Sequence, residues 1–281
     1  MLSWLAQYEE IFGPLRLFDF ITFRALLAAA IALVTGFVIA PILIRKLREL
    51  SFAQGFREEA EVGKLADLHS GKRNTPTMGG LLVTFSVTLA TLLCAAPNVY
   101  VLTALFVFIS LTVLGFVDDY RKVVQRNSKG ISGRQKLFFQ TLIAAVALLV
   151  LLWHPESAAK MREIWVPFFK DPVIAQAPVW LLFPFFFLVL VGSSNALNLT
   201  DGVDGLAIGC TITVAFVYGI MAYAAGNVII AEYLIISYLP GTGELAVLCA
   251  ALLGAGMAFC GSTRIRRRFL WAIPEASRWE A

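Results

Sequence analysis

Long apolar stretches alternate with short polar loops along most of this chain. Seven stretches stand out, at residues 25–43, 79–96, 100–117, 136–153, 178–197, 205–225 and 245–260. A helix rising 1.5 Å per residue needs about 17–20 residues to cross roughly 30 Å of hydrocarbon. Most of the seven are long enough, and the last carries Gly254 and Gly256, small residues that permit close helix contact. Because a bilayer interior accepts only helices or closed barrels, the pattern predicts an all-α, polytopic transmembrane helix bundle.

Composition supports this class. Apolar residues make up 59% of the chain and charged residues 15%, and the mean hydropathy is +0.77. A soluble domain is nearer half apolar and a quarter charged. We therefore expect residues 1–260 to form one integral membrane domain.

Lysine and arginine are distributed unevenly between the loops, which predicts an orientation. The loops 44–78 and 118–136 are rich in both, whereas 96–100 and 226–244 contain neither. The positive-inside rule places the two basic loops in the cytoplasm and the N-terminus on the opposite, periplasmic side. Alternation of the spans then places 192–204 in the cytoplasm as well, so three loops share one membrane face.

The first motif that could take part in catalysis or ligand binding is Asp118–Asp119, where the third span meets the cytoplasm. Adjacent carboxylates repel each other unless a cation neutralises them. Such a pair can bind a divalent metal or supply a general base. The alternative interpretation is a solvated helix end.

A second motif, Asn-Ala-Leu-Asn-Leu-Thr-Asp-Gly-Val-Asp-Gly-Leu at 195–206, interrupts two apolar spans. Asp-Gly steps favour tight turns. Asp204 could simply cap the sixth helix, but a cap does not explain Asn198 and Asp201 in the same loop. Two carboxylates and an amide suit the ribose and base edges of a nucleotide, or a hydrated Mg²⁺.

The third motif, at 70–80, places Lys72 and Arg73 before a proline turn and a Gly-Gly helix start. Cations and free helix N–H groups favour a phosphate, although the P-loop spacing is absent. A positive-inside anchor is the alternative. Together, the three motifs indicate Mg²⁺-dependent chemistry on a pyrophosphate at the cytoplasmic face.

Five stretches closely resemble the phospho-N-acetylmuramoyl-pentapeptide-transferases, a family within the polyprenyl-phosphate hexosamine-1-phosphate transferases. They are 50–52, 72–80, 115–124, 166–171 and 195–207. The resemblance implies that undecaprenyl phosphate attacks the β-phosphate of UDP-N-acetylmuramoyl-pentapeptide. The products would be UMP and lipid I, an intermediate of peptidoglycan synthesis, with Mg²⁺ as cofactor.

The resemblance also implies residue roles. Asp118 and Asp119 match the paired carboxylates of the family, one of them a candidate base for the lipid phosphate. Asn198, Asp201 and Asp204 match its nucleotide and metal loop. The residues that match the nucleotide-sugar site are Lys72 and Thr75. The implied metal ligands are Asp118, Asp119 and Asp201.

The resemblance stops near Phe259, although the family continues to ten helices and a Phe-Met-Gly-Asp metal motif. Residues 261–281 instead form a basic tail. Shifted codons across this tail can encode Phe-Asn-Thr-Tyr-Pro-Ala-Gln-Val-Phe-Met-Gly-Asp, and Trp271 followed by Ala272 forces its glycine. We therefore predict that the tail is out of frame and that the chain as written is inactive.

Two other functional classes of membrane protein are also compatible with the sequence. In a transporter or channel-like protein the carboxylates would line a polar path, but they lie at span ends and not at span centres. An inactive membrane scaffold is the other possibility. The expected partners are the bilayer and the two substrates, and a homodimer stays open; no feature indicates nucleic-acid binding.

Overall fold

The computed structural model describes residues 2–8, 10, 12–51, 79–123, 130–166, 171–200 and 205–276. Helices dominate these residues, together with one isolated antiparallel bridge between Ile164 and Ile174. The α-helices are α1 Ile21–Ser51, α2 Gly80–Cys94, α3 Val99–Val123, α4 Gly133–Trp153, α5 Pro155–Met161, α6 Val179–Thr200, α7 Leu206–Ala225, α8 Val228–Tyr233 and α9 Leu245–Ala276. The predicted all-α bundle is confirmed.

Six helical segments within the described residues are long and apolar enough to cross a membrane. They are Ile21–Leu43, Val99–Arg121, Gly133–Trp153, Val179–Thr200, Leu206–Ala225 and Thr242–Ser262. The predicted span at 79–96 is instead the shorter helix α2, which at 1.5 Å per residue is roughly 22 Å long. It ends at Cys94, where the backbone turns extended at Ala95, and Pro97 disfavours a helical conformation at the next residue, Ala96.

Helix α9 lies at the centre of the bundle and packs against α1, α2 and α7. Its glycines allow this, because a Cβ on Gly254 would collide with the backbone of Ala29 on α1. A Cβ on Gly256 would lie 2.6 Å from the Ile212 side chain on α7. Gly254 and Gly256 were expected to permit close helix contact, and the structure confirms it.

Hydrogen bonds define two ends of the bundle. At the Arg24 end, the Arg24 guanidinium on α1 meets Glu244, which precedes α9, and the Cys94 carbonyl at the end of α2. At the Asp118 end, the last turns of α3 meet the segment that enters α4. Successive long helices run between these ends in alternating directions.

The predicted boundary between residues 260 and 261 falls inside α9, which continues to Ala276. The division into a membrane domain and an out-of-frame tail therefore stays a prediction.

Candidate active site

Asp118 and Asp119 lie in the last turns of α3, and both are half-buried. The Ile131 backbone N–H donates to Asp118 Oδ1 at 2.8 Å. The C-terminal end of a helix carries partial negative charge, which disfavours carboxylates. A donor from outside the helix compensates for that, and it also fixes the orientation of the Asp118 carboxylate.

The short segment 130–132 brings this donor into place. Gly130 adopts φ of 60°, a left-handed conformation that glycine reaches without steric strain. Ile131 is buried, so its side chain anchors the turn. Ser132 caps α4 by accepting from the Gln135 N–H at 3.4 Å. Turn, anchor and cap together hold the start of α4 against the end of α3.

Asn198 lies exposed in the last turn of α6. One turn earlier, α6 is tied to α4 by Gln140, which is 1% exposed. The Gln140 side chain donates to Ser194 Oγ at 3.2 Å and accepts from Asn195 Nδ2 at 3.1 Å. Since Gln140 lies two turns into α4, the end of α6 and the start of α4 lie at the same end of the bundle.

The structure thus places Asp118, Asp119 and Asn198 at one end, in agreement with the predicted common face of the loops. Asp201, Asp204, Lys72 and Thr75 lie outside the described residues. Helix α7 begins after Gly205, its N-cap residue, which has φ of 87°. Gly79, the first described residue of the third motif, also lies at the Asp118 end, because it packs against Phe259 of α9 and the nearby Leu81 lies in a cluster with Leu43 and Phe116.

Two of the three predicted magnesium ligands, Asp118 and Asp119, lie among the described residues. Among the described side chains, no group of three or more histidine, cysteine, aspartate or glutamate residues comes close enough to hold a metal. Asp118 and Asp119 supply the hard oxygen ligands that Mg²⁺ prefers. The third predicted ligand, Asp201, lies outside the described part of the chain. The carboxylate oxygens of Asp118 and Asp119 are ligands that fit Mg²⁺.

Sequence reasoning assigned no role to Gln140, and it quoted Asn195 only as part of a motif. A signal was present: Gln140 is a polar residue within an apolar span, and such residues usually face a neighbouring helix. The ion pair between Arg24 and Glu244 was also missed, since each residue lies just outside a predicted span.

Comparison with known proteins identifies the family of the chain. Residues 100–261 match the model of glycosyl transferase family 4, and residues 72–82 match phospho-N-acetylmuramoyl-pentapeptide-transferase signature 1. A phospho-N-acetylmuramoyl-pentapeptide-transferase of Opitutus terrae is 54% identical over 259 residues, covering 92% of this chain and 70% of the relative. One of Methylacidiphilum infernorum is 42% identical over 261 residues, covering 92% and 71%. The chain therefore belongs to the phospho-N-acetylmuramoyl-pentapeptide-transferase family.

Proposed function

We propose that the function encoded here is the transfer of phospho-N-acetylmuramoyl-pentapeptide from its UDP conjugate to undecaprenyl phosphate. The products are lipid I and UMP, in peptidoglycan synthesis. The observation that carries the proposal is the 54% identity over 259 residues to a relative of that name. The placement of Asp118 and Asn198 at one end of the bundle supports it, because the lipid phosphate must meet the nucleotide at a membrane surface.

In the proposed reaction, an oxygen of the lipid phosphate forms a bond to the β-phosphorus of the UDP-sugar. The bond from that phosphorus to the oxygen bridging the α-phosphate breaks, and UMP leaves. Asp118 and Asp119 stand at the membrane boundary, where a lipid phosphate lies, and one of them takes its proton. The Ile131 N–H holds the Asp118 carboxylate in one orientation for this step.

The nucleotide side of the site is proposed to consist of Asn198, Asp201 and Asp204, with Lys72 and Thr75 beside the pyrophosphate and sugar. Of these, Asn198 is described by the structure, and its exposed amide at the end of α6 is accessible to a ligand. An amide donates and accepts, so it can read the polar edge of a base or a ribose hydroxyl.

Mg²⁺ is proposed as the cofactor. Asp118, Asp119 and Asp201 would hold it, and when bound it balances the charge on the pyrophosphate. Asp118 and Asp119 on α3 can bind Mg²⁺ without a third ligand from the same helix, because loops, substrate phosphates and water commonly supply the remaining ligands of such sites.

The proposed location is the bacterial inner membrane, with the Asp118 end facing the cytoplasm and the N-terminus in the periplasm. The Lys/Arg-rich loops 44–78 and 118–136 support this orientation. A transporter would be favoured by charged residues at span centres, whereas Asp118 and Asp119 lie in the last turns of α3. A homodimer stays a prediction.

The experiment follows lipid-linked product and UMP formation from UDP-N-acetylmuramoyl-pentapeptide and undecaprenyl phosphate. Two purified proteins are compared: the 281-residue chain, and a chimera of residues 1–260 with the segment that follows the matched part in the Opitutus terrae relative. Because residues 261–281 are proposed to be out of frame, we expect product from the chimera and none from the chain. Product from the chain would refute the tail proposal, and a folded chimera without product would refute the function.

A further inference from the structure

Helix α4 makes polar contacts with both halves of the site. At its entry, the Ile131 N–H binds the Asp118 carboxylate on α3. Two turns further on, the Gln140 side chain binds α6 through Ser194 and Asn195. Helix α4 packs against both α3 and α6, so one rigid element sets the positions of two segments that carry site residues.

The Gln140 contact is well suited to fix α6 along its axis. Gln140 is almost fully buried and uses both its amide nitrogen and its carbonyl oxygen across the helix interface. Asn195 is held from a second side, because its Nδ2 also donates to the Val191 carbonyl at 2.9 Å. Sliding α6 by one residue would move it about 1.5 Å and rotate it by about 100°, which would break both bonds to Gln140.

The fixed turn of α6 leads directly to the site. Asn198 follows Asn195 by three residues, which is about one helical turn. The end of α6 itself has little other support in the described structure, since Asn198 and its neighbours Leu197 and Leu199 are exposed. The depth and rotation of Asn198 therefore depend on how α6 is held one turn earlier.

We propose that Gln140 is a positioning residue of the transferase site. It holds the last turn of α6, and hence Asn198, at a fixed distance from the Asp118 carboxylate held by Ile131. This inference rests on the proposed function for its assignment of Asn198 to the nucleotide. Gln140 itself touches no substrate in this arrangement.

The test compares Gln140→Leu with Thr141→Val. Leucine keeps a side chain of similar size but removes both interhelical bonds. Thr141 is the matched control, because it is the adjacent residue and its hydroxyl donates within α4, to the Leu137 carbonyl at 2.7 Å. Ser194→Ala is a milder second variant, which removes one partner of Gln140 if Gln140→Leu does not fold.

The first readout is hydrogen exchange of the amides of residues 195–200 in the purified 281-residue chain. We expect faster exchange in Gln140→Leu, a smaller increase in Ser194→Ala, and no change in Thr141→Val. Unchanged exchange in both of the first two variants would overturn the proposal, because α6 would then not depend on Gln140.

The second readout is kinetic and uses the chimera described above. If Gln140 positions Asn198, Gln140→Leu raises KM for the UDP-sugar about tenfold, with kcat and the KM for undecaprenyl phosphate nearly unchanged. A loss of active protein would lower kcat and leave KM unchanged, and that result would overturn the proposal. Asn198→Ala distinguishes a failure of the Gln140 proposal from a failure of the proposed function. If Asn198→Ala leaves the KM for the UDP-sugar unchanged, the proposed nucleotide role of Asn198 is wrong.

Discussion

Arg24 and Glu244 form a two-point ion pair at the end of the bundle opposite Asp118, although 220 residues separate them in the chain. The guanidinium nitrogens lie 2.7 Å and 2.6 Å from the two carboxylate oxygens. The side chains are 5% and 11% exposed. Glu244 also accepts from the Ala96 N–H at 2.8 Å, and Arg24 donates to the Cys94 carbonyl. The pair therefore ties α1 and α9 to the end of α2.

Removing one member of this pair should destabilise the protein strongly. Arg24→Met leaves the Glu244 carboxylate buried without its cation, and breaking a buried pair in this way costs about 3–5 kcal/mol. Chemical unfolding in mixed micelles measures the effect. Lys160→Met is the control, because its partner Glu163 lies in a more exposed pair, worth at most about 1 kcal/mol. Equal losses of unfolding free energy in the two variants would show that burial of the Arg24 pair adds nothing to stability.

Asp118→Asn should abolish transfer while leaving the amount of folded protein near normal. A general base contributes about 10²- to 10⁴-fold to a rate, and asparagine keeps the shape and an acceptor for the Ile131 N–H. Product formation by the chimera and its yield in membranes are the measurements. Asp171→Asn serves as control, since Asp171 is exposed and precedes α6 at the other end of the bundle. Near wild-type turnover in Asp118→Asn would remove Asp118 from the site.

Asp201→Asn should also abolish transfer, for a different reason. Asp201 is a proposed metal and nucleotide ligand, and an amide is a weaker ligand for Mg²⁺ than a carboxylate. Chelation of divalent metal should stop the unmodified chimera, and added Mg²⁺ should restore it. We expect added Mg²⁺ to restore little activity in Asp201→Asn. Full activity of this variant at ordinary Mg²⁺ concentrations would contradict both assigned roles.

Gly254→Ala should destabilise the bundle by about 1–3 kcal/mol, the usual range for overpacking. The added Cβ would collide with the backbone of Ala29, which cannot move aside as a flexible side chain can. Gly209→Ala is the matched control on another membrane helix, because a Cβ there has nothing within 4 Å. Alanine in a helix is about 0.5–1 kcal/mol better than glycine, so Gly209→Ala should be neutral or stabilising. A stable Gly254→Ala protein would mean that α1 and α9 are further apart than described.

Labelling of single cysteines tests the orientation of the protein in the membrane. In a variant without its native cysteines, Ser193→Cys should be protected from an impermeant thiol reagent in sealed right-side-out membranes. Tyr233→Cys should label readily, since Tyr233 is 84% exposed and lies on α8, at the opposite end of the bundle. Ready labelling of Ser193→Cys from outside would contradict the proposed cytoplasmic position of the site.

Most of the helices follow from the sequence for a simple reason. In hydrocarbon every backbone N–H and C=O needs an internal partner, so a long apolar run has few options besides a helix. The same local reasoning located Asp118–Asp119 at a helix end and identified Gly254 and Gly256 as contact residues. The helix at 80–94 was expected to be longer, because hydropathy alone did not register the effect of Pro97 on the chain before it.

Which residues meet was decided by the tertiary structure. Arg24 and Glu244 are 220 residues apart, Gln140 and Asn195 are 55 apart, and Ile131 and Asp118 are 13 apart. Sequence shows only that Gln140 and Arg24 are polar residues in or beside apolar spans. Which neighbour satisfies them depends on the packing of α9 against α1 and of α4 against α6, because a buried polar group is stable only where the arrangement of helices brings it a partner.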